Sequence, residues 1–162
     1  MNKLKYLGYS IVFQEVPDEV TLAINISGCP HKCEGCHSKY LWEYRGNYLS
    51  DDLAELIEKY KDLITCVCFM GGDQNLNELH MLMKTVIPAN LRVALYTGTS
   101  DPRTIGYAMS LPFDYIKYGP YIEKCGGLND KTTNQVMLKR NLDQWEDITY
   151  KFLKEDGNND SN

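Results

Sequence analysis

Three cysteines crowd the segment SGCPHKCEGCHSKY, residues 27–40, in the pattern C-x3-C-x2-C: Cys29, Cys33 and Cys36. Thiolate sulfur is the soft ligand that suits zinc and iron–sulfur clusters. Three is one short of a closed tetrahedral set. A four-iron cubane takes one outer ligand at each iron, so three cysteines leave one iron open to an outside ligand. Gly35 relieves crowding between the second and third thiols. The competing arrangements are a structural zinc site completed by His31 or His37, and thiols that bind nothing. We adopt the open-iron cubane, with Cys29, Cys33 and Cys36 as its ligands. The other cysteines make poor fourth ligands. Cys66 and Cys68 share one face of an apolar segment and read as small core residues. Cys125, in EKCGG, is borne on a loop and receives no role, nor does His80.

The elements that must position this loop follow from hydrophobic periodicity. Apolar runs at 20–27, 64–70, 91–97 and 113–118 read as buried strands. Between them lie helical patterns at 50–63, 75–87 and 101–111. Ser50 is the expected cap of the first, with Leu53, Leu56, Ile57 and Tyr60 inward. Asn75 caps the second, with Glu78 reaching back and Leu76, Leu79, Met83, Val86 and Ile87 inward. Pro102 opens the third. The alternation implies βαβ units and a mainly parallel sheet. Residues 132–140 and 148–153 are expected as late strands, and the opening YLGYSIVFQEV as an edge strand or hairpin. Each main strand ends in glycine: Gly28, Gly71–Gly72, Gly98 and Gly119. Ligands of parallel sheets bind at the carboxyl ends of strands, where the cysteine loop also falls.

Bulk properties bound the function. The 162 residues suffice for one domain, taken as 1–154, followed by a polar tail at 155–162 that is expected to be disordered. A net charge of −5 argues against nucleic acid or an anionic membrane as partner. No apolar leader follows Met1–Lys5 and no apolar run approaches the ~18 residues of a membrane span. The expected location is the cytoplasm, where thiols stay reduced and clustered cysteines point to metal chemistry. The 12 tyrosines are read as half-buried packing and partner surface, and a homodimer is compatible with them.

The C-x3-C-x2-C at the end of the first main strand, followed by FMGGD at the end of the second, resembles the radical S-adenosylmethionine superfamily. That likeness implies a partial, open β/α barrel with a mainly parallel sheet of about five to six strands. It implies a [4Fe-4S] cluster on Cys29, Cys33 and Cys36 whose open iron holds the amino and carboxylate groups of S-adenosyl-L-methionine. By the same likeness Gly35, Cys36 and His37 line the adenosine side, Gly71, Gly72 and Asp73 receive the methionine end, and Thr97 and Gly98 face the cofactor. CEGCHS, LYTG, DYIKYGPY (114–121) and TTNQVMLK (132–139) are similar to a narrower family, the activating proteins of anaerobic ribonucleoside-triphosphate reductases. Gln74 stands where that family often has proline, and its closing Asn-Gln motif is read at Asn134 and Gln135. Membership would imply glycyl-radical formation on the reductase, with a flavodoxin- or ferredoxin-type electron donor. The alternatives are an activating enzyme of pyruvate formate-lyase type, a short radical enzyme making a deazapurine precursor, and a non-catalytic metal-binding docking module.

Overall fold

Side chains of consecutive strand residues point to opposite faces, so a strand that is apolar throughout must be covered on both sides. A computed structural model describes residues 2–153 and has this arrangement; the polar tail at 155–162 lies outside the described residues. The elements run β1 (Lys5–Val12), β2 (Thr21–Ile26), β3 (Asn47–Tyr48), α1 (Leu49–Tyr60), β4 (Cys66–Met70), α2 (Leu76–Val86), β5 (Arg92–Tyr96), α3 (Pro102–Ser110), β6 (Tyr115–Tyr118), β7 (Val136–Asn141) and β8 (Gln144–Asp147). The four main strands and three helices expected from periodicity are all present.

The strands form one sheet in the order β3-β1-β2-β4-β5-β6-β7-β8. It is a mixed α/β sheet and it does not close, since β3 and β8 end the order without pairing. The expected five to six strands become eight, and the mainly parallel sheet is parallel only at its centre, through β2–β4, β4–β5 and β5–β6. Both flanks are antiparallel. β8 escaped notice because its sequence, QWED, is polar, and the turn that precedes it uses Leu142 at φ 57 rather than a glycine. The strand expected at 148–153 is a 3-10 turn, Thr149–Phe152. Asp147 Oδ1 accepts from the Thr149 N–H (2.9 Å) and hydroxyl (2.6 Å), which turns the chain out of the sheet. The strand expected from residue 132 starts only at Val136, because Thr133 N–H donates to Asp130 O and closes a turn.

One face of the sheet carries Leu22, Ile24, Val67, Phe69, Val93, Leu95 and Ile116, all packed under the helices. The other face carries Cys66, Cys68, Ala94 and Tyr115, covered by Val16, Met137 and Ile148 from irregular segments and β7. α1 starts at Leu49 with Tyr48 as an N-cap that makes no side-chain bond, so Ser50 is not the cap. Leu49 N–H instead donates to Leu4 O at 3.0 Å, fastening the helix start to the chain before β1. Asn75 does cap α2, accepting from Glu78 N–H. The Glu78 carboxylate reaches back to the Asn75 amide and to Leu4 N–H rather than to the Asn75 backbone. Ile87 is exposed, and Leu82 takes the inward place expected for it. Among the described residues no helix is long and apolar enough to cross a membrane.

The long connection from β2 to α1 carries the cysteine loop, and β3 moors its far end against β1. Gly46 precedes β3 at φ +106, and a Cβ there would lie 2.1 Å from Tyr6 O. Gly46→Ala is therefore expected to destabilise the protein by about 1–3 kcal/mol, by backbone strain together with loss of the β1–β3 pairing. Urea unfolding checks this, and an unchanged midpoint would show that the connection is not moored there.

Candidate metal centre

Parallel pairing places strand ends side by side. Asn25 pairs with Met70, Met70 with Tyr96, and Tyr96 with Lys117, a row of four crossing β2, β4, β5 and β6 near their carboxyl ends. These four side chains line a cavity of about 170 Å³ that also takes in Cys29, His31, Cys36, Trp42 and Asp73. Of the glycines at the strand ends, Gly71 and Gly98 line this cavity, while Gly28, Gly72 and Gly119 do not.

The cysteine loop has sulfur atoms already supplied with donors. Backbone N–H groups of His31 and Lys32 favour the Cys29 thiolate, although burial outweighs them and raises its pKa on balance. The Cys36 sulfur accepts from the Ser38 N–H at 3.3 Å. Cys29 N–H donates to Leu41 O, which ties the loop to the segment that follows it. All three thiols are free and partly exposed. Among the described residues, no three His, Cys, Asp or Glu side chains are grouped around one point as ligands of a single metal ion. A cubane makes a different demand, because each iron takes its own thiolate and the ligands surround a body rather than a point. Three free thiols on one loop are the donor set of such a cluster; Cys29 and Cys36 line the cavity, and Cys33 does not.

His31 joins the two motifs. Its Nε2 lies 2.8 Å from Asp73 Oδ2, spanning the ends of β2 and β4, and the Asp73 side chain is only 7% exposed. The imidazole lies against Gly98, where a Cβ would come within 3.1 Å of the ring. His31 entered the sequence reading only as a zinc ligand; its bond to Asp73 ties it up elsewhere. Lys117 was missed. It is buried, and its ammonium donates to Thr97 O (3.3 Å) and Gly119 O (3.1 Å). Burial lowers its pKa to about 8, against attraction from Cys33, Cys29 and Asp73. The signal was a lone lysine in an apolar strand.

The remaining expected residues divide. Gly71 and Thr97 line the cavity with Asp73, and Gly71 N–H donates to Tyr96 O. The Thr97 hydroxyl is used locally, accepting from Thr99 N–H. Gly72 is buried against Leu79. Gly35 packs on the Tyr121 ring. His37 is exposed, stands 5.8 Å from that same ring, and borders a neighbouring groove rather than the cavity. Cys66 and Cys68 are fully buried, as expected of core residues.

The donor set and its place at the carboxyl ends of parallel strands are those of an iron–sulfur protein of the α/β class. Residues 19–102, just over half of the chain, match the family described as a 4Fe-4S single cluster domain. The chain belongs to that family. No curated protein and no solved structure matches it. The matched span includes the cysteine loop, Asp73 and Thr97.

Anaerobically reconstituted protein should hold about four irons per chain. Cys29→Ser, Cys33→Ser and Cys36→Ser should each lose the cluster, whereas Cys66→Ala, Cys68→Ala and Cys125→Ala should keep it, as read by iron analysis and visible absorption. Stoichiometric zinc without iron would overturn the assignment of ligands.

Lys117 yields a pH prediction. Its folded pKa lies below its unfolded value, so the burial penalty on its charge is present below about pH 8 and is relieved between about 8 and 10.5. In cluster-free protein, the stability of wild type relative to Lys117→Met should rise over that window by about 3 kcal/mol. Urea unfolding at pH 7, 8.5 and 10 measures it; parallel curves would mean the ammonium reaches solvent.

Proposed function

We propose that the protein is a radical S-adenosylmethionine activating enzyme that installs a glycyl radical on an anaerobic ribonucleoside-triphosphate reductase. The observation that carries the reading is the adjacency of two motifs at neighbouring strand ends: the three-thiol loop after β2, and Gly71-Gly72-Asp73 after β4, bridged by His31. Held by Cys29, Cys33 and Cys36, a [4Fe-4S] cluster would supply one-electron reduction to bound S-adenosylmethionine, the chemistry needed for hydrogen-atom abstraction from a glycine Cα.

The chain's own residues bind and orient. Cys29, Cys33 and Cys36 hold the cluster. Asp73, nearly buried, offers the methionine ammonium a carboxylate whose attraction is little screened by water. His31 fixes that carboxylate by donating to Oδ2, and Gly98 leaves room for the imidazole. Lys117 sets a positive charge near thiolates that carry negative charge. Met70 and Tyr96 supply apolar floor, which excludes water from a reactive radical. The sheet is open, and an extended glycine-bearing segment of the reductase is the substrate that fits an open site. A flavodoxin- or ferredoxin-type protein supplies the electron, and the resemblance in CEGCHS, LYTG and DYIKYGPY selects the reductase over other partners.

Mixing the protein with the anaerobic reductase of the same cell, S-adenosylmethionine and a reductant should give a doublet glycyl-radical signal in electron paramagnetic resonance. Cys29→Ser should abolish it. Asp73→Asn should keep the iron but weaken S-adenosylmethionine binding roughly 10- to 100-fold, the loss expected for a hydrogen-bonded charge pair. A signal with a formate-lyase-type partner and none with the reductase would move the assignment to that partner. No cleavage of S-adenosylmethionine at all would leave a non-catalytic cluster protein.

A further inference from the structure

Buried polar atoms are almost always paired, so those that are not point to something the fold expects. Among the described residues, four buried side-chain N or O atoms have no hydrogen-bond partner: Thr21 Oγ1, Trp42 Nε1, Gln74 Oε1 and Asn134 Oδ1. Three are oxygens, and the amide oxygens of Gln74 and Asn134 belong to groups whose nitrogens are already bonded, to Ser27 O and Pro120 O. Trp42 differs. Indole is a donor only, with one N–H and no second way to satisfy it.

That N–H belongs to a side chain lining the same cavity as Cys29 and Cys36. The ring is held in place. The backbone N–H of Trp42 closes the 3-10 turn Lys39–Leu41 by donating to Lys39 O at 3.0 Å, and the Lys39 ammonium stands 5.8 Å above the indole ring. The preceding residue, Leu41, is buried and accepts the Cys29 backbone N–H. The indole is therefore anchored through one residue to a cluster-ligating cysteine.

We propose that Trp42 Nε1–H is a hydrogen-bond donor to a sulfur of the cluster held by Cys29, Cys33 and Cys36, and that it raises the cluster's reduction potential. Cluster sulfides and ligating thiolates are electron-rich acceptors that gain negative charge on reduction. A donor aimed at them stabilises the reduced state more than the oxidised one. The inference needs only the cluster, so it stands or falls apart from S-adenosylmethionine chemistry and from the identity of any partner.

The test uses full-length protein with its cluster reconstituted, without S-adenosylmethionine or partner. Trp145→Phe leaves Trp42 as the single tryptophan, and growth on tryptophan labelled with nitrogen-15 at the indole marks its nitrogen. Electron–nuclear double resonance of the reduced cluster should then show an exchangeable proton and a nitrogen-15 coupling. Replacing Trp42 by benzothienylalanine, which keeps the shape and puts sulfur in place of the N–H, should remove both couplings with iron content unchanged. That replacement and Trp42→Phe should each shift the midpoint potential to more negative values. An absent coupling in the labelled protein overturns the proposal, whatever the variants do. So does a potential unchanged in benzothienylalanine protein, and so does a coupling that appears only after S-adenosylmethionine is added, since the acceptor would then be the cofactor.

Discussion

The register between β2 and β4 is the constraint on which the site rests. Thr21 pairs with Cys66 and Asn25 with Met70, so the chain leaves both strands at the same height. Only then can a side chain of the loop after β2 meet one of the turn after β4, as His31 meets Asp73 across 42 residues of sequence. A slip of one residue would exchange the faces of β4, driving Val67 and Phe69 out from under the helices and Met70 away from the cavity. The helix-side core prevents that slip. Leu22, Ile24, Val67 and Phe69 are all completely buried, and a one-residue slip would put the β4 pair on the opposite face from the β2 pair. The hydrophobic effect on one face of the sheet thus fixes the chemistry on the other.

That second face is graded in side-chain size. Cys66, Cys68 and Ala94 are small, which lets Tyr115, Met137, Val16 and Ile148 close over the lower part of the sheet. One row higher the side chains are long, and Met70, Tyr96 and Lys117 hold the cavity open instead of filling it. Burying a lysine there is unfavourable until negative charge arrives. Thiolates binding a cluster would supply that charge, so cluster binding and protonation of Lys117 would support each other. In the free protein the ammonium rests on two backbone carbonyls, and a bound cluster would add negative charge beside it. The orphaned indole N–H of Trp42 follows the same logic in hydrogen bonding.

How much of this was legible depended on how local each signal was. The cysteine loop, the Gly-Gly-Asp turn and the order of the four central strands and three helices are written in short-range spacing, and these elements stand where that spacing put them. Contacts between distant residues had no such trace. His31 looked like a ligand because it sits between two cysteines, and only the fold reveals a carboxylate within its reach. Lys117 lies in YIKY, where alternation could not tell whether its face met solvent or a cavity. β3 and β8 are short and polar, stabilised by their neighbours rather than by their own composition, and polar edges of this kind read as loop. Asp147 turns residues 148–153, expected as the last strand, out of the sheet with side-chain bonds that compete with the ladder.

The cover over the second face bears on access. Helices pack one side of the sheet, but the other is covered at its upper edge by irregular chain, from which Gln14, Pro17, Leu128 and Phe152 line a groove of about 1110 Å³. Tyr96 belongs to the walls of both the groove and the cysteine cavity, and its hydroxyl donates to Glu15 O. The two spaces therefore meet at one side chain, which is itself tied to the segment forming the groove's rim. His37, next to Cys36, borders the groove as well. Irregular segments supported by few backbone bonds yield more readily than helices do. On the proposed reading, an extended segment of a partner lying in this groove would approach the cavity from the Tyr96 side. On that reading, the face of the sheet that lacks helices would be the one to admit a second chain.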